Sequence, residues 1–225
     1  MMDLRSFILC LAAFSLALTG FVYGAKFVRK KNYLIGIEWF ILATSSSNAV
    51  VYFATNSPLS FKIAHFFDTF SRAFGVPIVI PVGMMVLTHG MKPSIRFDIA
   101  IFALSFVATI AILSLGIIQP LLAYFLLGMS ILYTIYLIYL TVILFKAGEK
   151  LQALGVALVT ATTFFVAAIY DFYKIPGEDT NVIFNFFTIA LFTWSYMTVQ
   201  LYYAYCALER ARCGGAAKNS GVDLA

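Results

Sequence analysis

The chain has 225 residues, 62% of them hydrophobic and 11% charged, with a formal net charge of +5 and a mean hydropathy of +0.94. A soluble domain carries about 25% charged residues, so a water-exposed globular surface cannot be built from this composition. The expected class is all-α: an integral membrane bundle of seven transmembrane helices.

Seven apolar stretches carry that expectation, at 5–27, 33–56, 61–87, 96–118, 120–145, 151–173 and 182–208. Each reaches the roughly 20 residues that cross a bilayer core about 30 Å thick. They are too long and too uniformly apolar for barrel strands, and helices satisfy their own backbone in lipid. Residues 1–209 therefore read as the transmembrane domain, and 210–225, with Gly214, Gly215 and Ser220, as a short disordered cytoplasmic tail.

The first stretch is followed at once by Lys26, Arg29, Lys30 and Lys31, as after a stop-transfer helix, so it reads as a retained span instead of a cleaved leader. It has only Ser15 and Thr19 as interior hydroxyls and is expected to face lipid. The second stretch carries Glu38, with Ser45 and Asn48 on the same face, and hydroxyls at Thr44, Ser46 and Ser47. Two uses stay open: close-packing hydrogen bonds between helices, with Glu38 at the interface beside Trp39, or a polar track leading inward.

The third stretch is the most informative. His65, Asp68 and Arg72 recur at i, i+3 and i+7, which places them on one helical face. A lone Asp or Arg at mid-bilayer costs about 2.5–3.5 kcal/mol on insertion scales, so such residues face the bundle interior. They read as a substrate, ion or proton site, or as an intrahelical Asp68–Arg72 pair that neutralises itself. Further along, Gly75, Pro77, Pro81 and Gly83 predict a kink, with Pro77 and Pro81 as a candidate hinge.

The fourth stretch has few polar residues and is expected to face lipid. The fifth contributes Tyr133 and Tyr136, and the sixth Thr160 and Thr163 on the face leading to Tyr170 and Asp171. On the seventh, Asn185, Thr193, Tyr196, Gln200 and Tyr203 form a stripe at helical spacing beside Trp194. Aromatic walls with a few directed polar groups are the common form of a small-molecule site; aromatic packing and interfacial anchoring are the other reading.

The positive charge alternates between loops. Eleven of the fifteen Lys and Arg residues follow odd-numbered stretches, whereas Arg5, Lys62 and Lys174 lie on the other side and Arg72 lies inside a span. The positive-inside rule then puts the N-terminus outside and the C-terminus in the cytoplasm of a plasma or bacterial inner membrane. This distribution speaks for a topology signal and against nucleic acid as a partner. Cys10, Cys206 and Cys213 have no paired spacing. The chain shows no haem-type histidine pair, no zinc or iron–sulfur cluster, no nucleophile elbow and no phosphate-binding glycine loop, so no cofactor and no enzymatic activity are expected.

Seven spans, an outside N-terminus, and the Asp68, Arg72 and Pro77 character of the third span resemble the microbial opsins and their transporter–opsin kin. That resemblance implies a seven-helix fold. The family's chromophore needs a lysine in the last helix, and this one has none, with Tyr196 near that place, so the resemblance implies a chromophore-less member and no light-driven pumping. The leading functional expectation is a carrier or channel for a small solute or ion, its path lined by Glu38, Asn48, His65, Asp68, Arg72, Asp171, Asn185, Tyr196 and Gln200. A sensor signalling to a partner protein at the cytoplasmic face, or a non-catalytic accessory subunit, are the alternatives. The lipid bilayer is the expected surroundings.

Overall fold

The computed structural model describes residues 4–91, 94–115, 119–172 and 186–220, without the side chains of 119 and 214–220. It contains seven helices: α1 (Leu4–Arg29), α2 (Tyr33–Thr55), α3 (Pro58–Thr88), α4 (Ile95–Ser114), α5 (Leu122–Lys146), α6 (Lys150–Tyr170) and α7 (Phe186–Ser220). A single 3-10 turn, Gln119–Leu121, leads into α5. No strand occurs among the described residues. Helices α1 to α6 are each long and apolar enough to cross a membrane, so the chain is a multipass membrane protein. The last helix continues to Ser220, into the stretch that the composition reads as a disordered tail.

Local chemistry sets the breaks. Asn32 caps α2 by accepting from the Ile35 N–H, and Ser57 and Ser94 cap α3 and α4 in the same way. Pro58 follows Ser57 in the first turn of α3, where its missing N–H costs nothing. The chain leaves α2 through Asn56 in the left-handed region, φ 55°, and turns between α5 and α6 at Gly148, φ 81°.

The helices form a ring. α1 packs between α2 and α7, α7 against α6, α6 against α5, α5 against the middle of α3, and α3 against α2. α4 leans on α3 from outside, with Phe70 stacked on Phe106 at 4.5 Å between ring centroids. Its exposed Ile99, Leu104, Val107 and Ile110 face outward, as expected of a lipid-facing helix.

α1 departs from the same expectation. Its face of Ala12, Ala13, Leu16, Ala17, Gly20, Gly24 and Phe27 is buried, and only the opposite face, with Leu11, Phe14 and Leu18, is exposed. The reason is a seam of small residues against α2. Lipid tails are as apolar as leucine, so helices associate in a bilayer through close van der Waals approach, and small residues permit it. Gly20 and Gly24 make a G-x-x-x-G pair that meets Gly36, Trp39 and Ala43 of α2. Ser46 Oγ adds a hydrogen bond to the Ala13 carbonyl at 2.7 Å, and Ser45 Oγ bonds Ala64 O of α3 at 2.9 Å.

α3 is not a uniform helix. Ser71–Val79 is a nine-residue π-helix between α-helical ends at Pro58–Phe70 and Ile80–Thr88. Pro77 lies inside it and Pro81 in the first turn after it. The Ile80 N–H reaches the Gly75 carbonyl, five residues back. The two prolines thus fall where α-helical bonding has given way to the wider turn.

A Cβ at Gly20 would lie 2.9 Å from both Ala43 Cβ and the Trp39 carbonyl. Gly20→Ala lowers stability by about 1–3 kcal/mol through overpacking, read as an earlier thermal transition of the detergent-purified protein. Gly128→Ala, where nothing lies within 4 Å, leaves that transition unchanged or raises it slightly.

Candidate functional site

Two cavities lie inside the ring. The larger, about 390 Å³, is walled at the end of the bundle where α1 begins, by Arg5, Leu9, Ser45, Ala49, Tyr52, Phe53, Phe61, Ala64, His65 and Phe187 among others. The smaller, about 50 Å³, lies deeper and is lined by Ser71, Val76, Pro77, Ser130, Tyr133, Thr134, Thr163 and Met197, with space for about three waters. Leu42, Asp68, Tyr170 and Trp194 line both and form the partition between them.

Arg72 is the centre of the partition. Its guanidinium pairs with Asp171 through Nη2 and Oδ2, and Nη1 donates to Oδ1 at 3.4 Å. The face of the guanidinium covers the Tyr170 ring, 4.3 Å from its centroid, a cation–π contact. Asp68 stands 3.7 Å from Nη1. The intrahelical Asp68–Arg72 pair read from the spacing is therefore present but secondary, and the nearer partner comes from the end of α6. Spacing along one helix could not show that, because the two residues are 99 apart in sequence.

His65 lies parallel to Phe61, with ring centroids 5.9 Å apart and an interplanar angle of 1°, and borders the larger cavity with Asp68. Tyr52 packs on Phe61 at 5.1 Å, extending that wall. The array continues through Phe53, 5.7 Å from Tyr52, to Phe187, Tyr170 and Trp194, with those later centroids 5.8–5.9 Å apart.

Glu38 turns into the bundle. It is 0% exposed, and the polar group that acts on its carboxyl is the Ser71 hydroxyl of α3. It sits over Gly75 in the π segment, where any Cβ would collide with the carboxylate. Ser71 lies one turn before Gly75, its hydroxyl buried as well. Tyr133 lies above, its hydroxyl donating to Met197 Sδ at 3.6 Å, and the buried Tyr136 hydroxyl is unpartnered.

Three other expected site residues are placed elsewhere. Asn48 spends its amide on the Thr44 carbonyl of its own helix at 2.9 Å and lines neither cavity. Tyr196 and Gln200 face α6: the Tyr196 hydroxyl reaches Gly155 O at 3.5 Å, and Gln200 Nε2 donates to Gln152 Oε1 at 2.8 Å. The inward stripe of α7 is Phe187, Leu191, Trp194 and Met197, rotated from the polar stripe. A polar stripe can serve a helix–helix seam as well as an interior, and here Gly155 gives Gln200 the space to do so. Asn185 lies outside the described residues.

The opposite end of the bundle is closed by side chains whose role the sequence reading did not assign. Asn32 Nδ2 donates to the Gly83 carbonyl at 2.8 Å, and Arg212 Nη1 to the Val86 carbonyl at 3.0 Å. Lys30 pairs with Glu209, and Arg210 with Glu149 at 3.6 Å. The hydrogen bond to Glu209 raises the Lys30 ammonium above the ordinary lysine range, against the opposing effect of burial. An Asn before an apolar run signals the cap at Asn32; nothing in the sequence signals its second bond to α3. Among the described residues no cluster of His, Cys, Asp or Glu could hold a metal ion.

Comparison with known proteins gave no match: no family model, no curated protein and no solved structure is significantly similar to this chain.

Glu38 is fully buried with no cation among the groups that act on it, so the neutral isostere is the conservative change there. Glu38→Gln keeps the melting temperature within a few degrees of wild type, whereas Gly75→Ala lowers it markedly. Combining Gly75→Ala with Glu38→Ala costs less than the sum of the two single changes, a coupling of about 0.5–3 kcal/mol expected for groups in contact and measurable by a double-mutant cycle of thermal unfolding.

Proposed function

We propose that this chain is a seven-span membrane protein, N-terminus outside, that binds a small ligand in the larger cavity and passes the event to a partner at its basic opposite face. Six spans are α1 to α6; α7 carries the seventh apolar stretch, and the loop-charge alternation orients the set. The observation that carries the reading is the one-sidedness of the interior. The larger cavity is walled by the first residues of α1, α3 and α7 and the last of α2, at the end expected to face outward. Behind the Asp68–Arg72–Asp171 partition lies the small cavity, and the far end is crossed by the contacts of Asn32, Lys30, Arg210 and Arg212. A blind pocket suits a sensor better than an open channel.

A carrier is the second reading, favoured by the π segment. Pro77 and Ser71 line the inner cavity, and Glu38 continues the line of polar groups beyond it, so a repacking of Ser71–Val79 would extend the path. The two readings differ in where water reaches.

The test uses a variant with Cys10, Cys206 and Cys213 replaced by serine, in sealed vesicles, with a membrane-impermeant thiosulfonate applied to one face at a time. Ala49→Cys, in the larger cavity, reacts from the N-terminal face alone, and Thr163→Cys, in the inner cavity, from neither. Reaction of Thr163→Cys from the opposite face would install the carrier reading instead. An Ala49→Cys that reacts from neither face would remove the cavity as a ligand site.

A further inference from the structure

We propose that the larger cavity takes an organic cation, its ammonium on Asp68 and its apolar body against the aromatic array that lines the cavity. This rests on the ligand-binding reading above and names its chemistry.

The argument begins with charge. Two carboxylates, Asp68 and Asp171, surround one guanidinium, that of Arg72. Arg72 is committed to Asp171, on which both terminal nitrogens bear, and to the ring of Tyr170. Asp68, at 3.7 Å from Nη1, is the more distant of the two carboxylates that Arg72 serves. The partition thus holds two carboxylates to one guanidinium, and the less closely paired one, Asp68, borders the larger cavity, which Asp171 does not. The titratable groups near enough to act on Asp68 are Arg72, His65, Asp171 and Tyr170. Arg5, the other cation in the lining, belongs to the opening turn of α1 at the mouth.

Shape and surface agree with charge. A volume of about 390 Å³ falls within the roughly 300–1,000 Å³ of small-molecule pockets. Tyr52, Phe53, Phe61 and Phe187 line the cavity together with Asp68, their rings in one connected array. Aromatic faces attract a desolvated cation, and a carboxylate adds a charge-assisted hydrogen bond. An anion would meet the carboxyl group of Asp68, and a neutral guest would leave Asp68 covered and unserved, which is costly.

The probes are phenethylammonium, phenethyl alcohol and 3-phenylpropionate: one apolar body with a positive, neutral or negative head. Binding to the full chain in lipid nanodiscs is read from quenching of tryptophan fluorescence, Trp194 being in the cavity wall. The ammonium binds at least tenfold more tightly than the alcohol, and the carboxylate most weakly. In Asp68→Asn the alcohol keeps its affinity, showing an intact cavity, and the ammonium loses its advantage. Equal affinity of ammonium and alcohol for wild type would overturn the cation assignment while leaving the ligand site standing. Tightest binding by the carboxylate would overturn it in favour of an arginine anchor. Binding of none of the three at millimolar concentration would overturn this assignment and the ligand-binding reading together. The wild-type order decides the matter even where Asp68→Asn fails to fold.

Discussion

Arg72 is a guanidinium placed inside a ring of apolar helices, and the arrangement of α3, α6 and the space between them follows from what that cation requires. A guanidinium stays charged at any biological pH, and a single charge at mid-bilayer costs about 2.5–3.5 kcal/mol on insertion scales. Its planar fork matches a carboxylate on two nitrogens, and Asp171 supplies that match from the end of α6. Tyr170, the preceding residue, supplies a ring to stack on. Two helices not adjacent in the ring are thereby held together, with Arg72 on the inner cavity beside Asp68 and Tyr170, which line both cavities.

Glu38 meets the same constraint by different means. It is excluded from water altogether and is accommodated by absence of bulk: Gly75 leaves the gap that the carboxyl fills. That gap falls in the π segment, whose wider turn also absorbs Pro77. The seam between α1 and α2 uses absence of bulk in its turn, with Gly20, Gly24 and Gly36 bringing backbones together. Glycine thus serves packing at the seam and polarity at Glu38, and only the neighbouring side chain distinguishes the two uses.

The helical class and the multipass character were legible because a bilayer imposes length and apolarity on every span. The interior placement of Asp68 and Arg72 was legible for the same reason: a charge in a span has few places to go. Partner choice was not, since the pairing of Arg72 with Asp171 depends on how α6 ends relative to the middle of α3. The polar stripe of Tyr196 and Gln200 misled because hydrogen bonding to α6 uses the same residue types as a cavity wall. The Gly20–Gly24 spacing signals a close-packed seam, whereas the scarcity of polar side chains on α1 points that helix to lipid; in this bundle the seam prevails. Glu38 beside Trp39 looks interfacial by distance from the span's end; its burial follows from the adjacent π segment, which no local pattern announces.

α3 contributes to every functional feature at once. Phe70 turns outward to α4, Asp68 and Arg72 turn to the partition, and Gly75 turns to α2. The π turns add roughly one residue to each turn relative to an α-helix. That slower rotation keeps Ser71, Arg72, Val76 and Pro77 together on the lining of the inner cavity, where an α-helical repeat would carry the chain around sooner. π turns recur at functional positions in helices for this reason: they aim side chains that regular geometry would direct elsewhere. In this bundle the aimed residues are the cation at the partition and the glycine under Glu38, so the irregular stretch of α3 connects the partition with the buried carboxyl of α2.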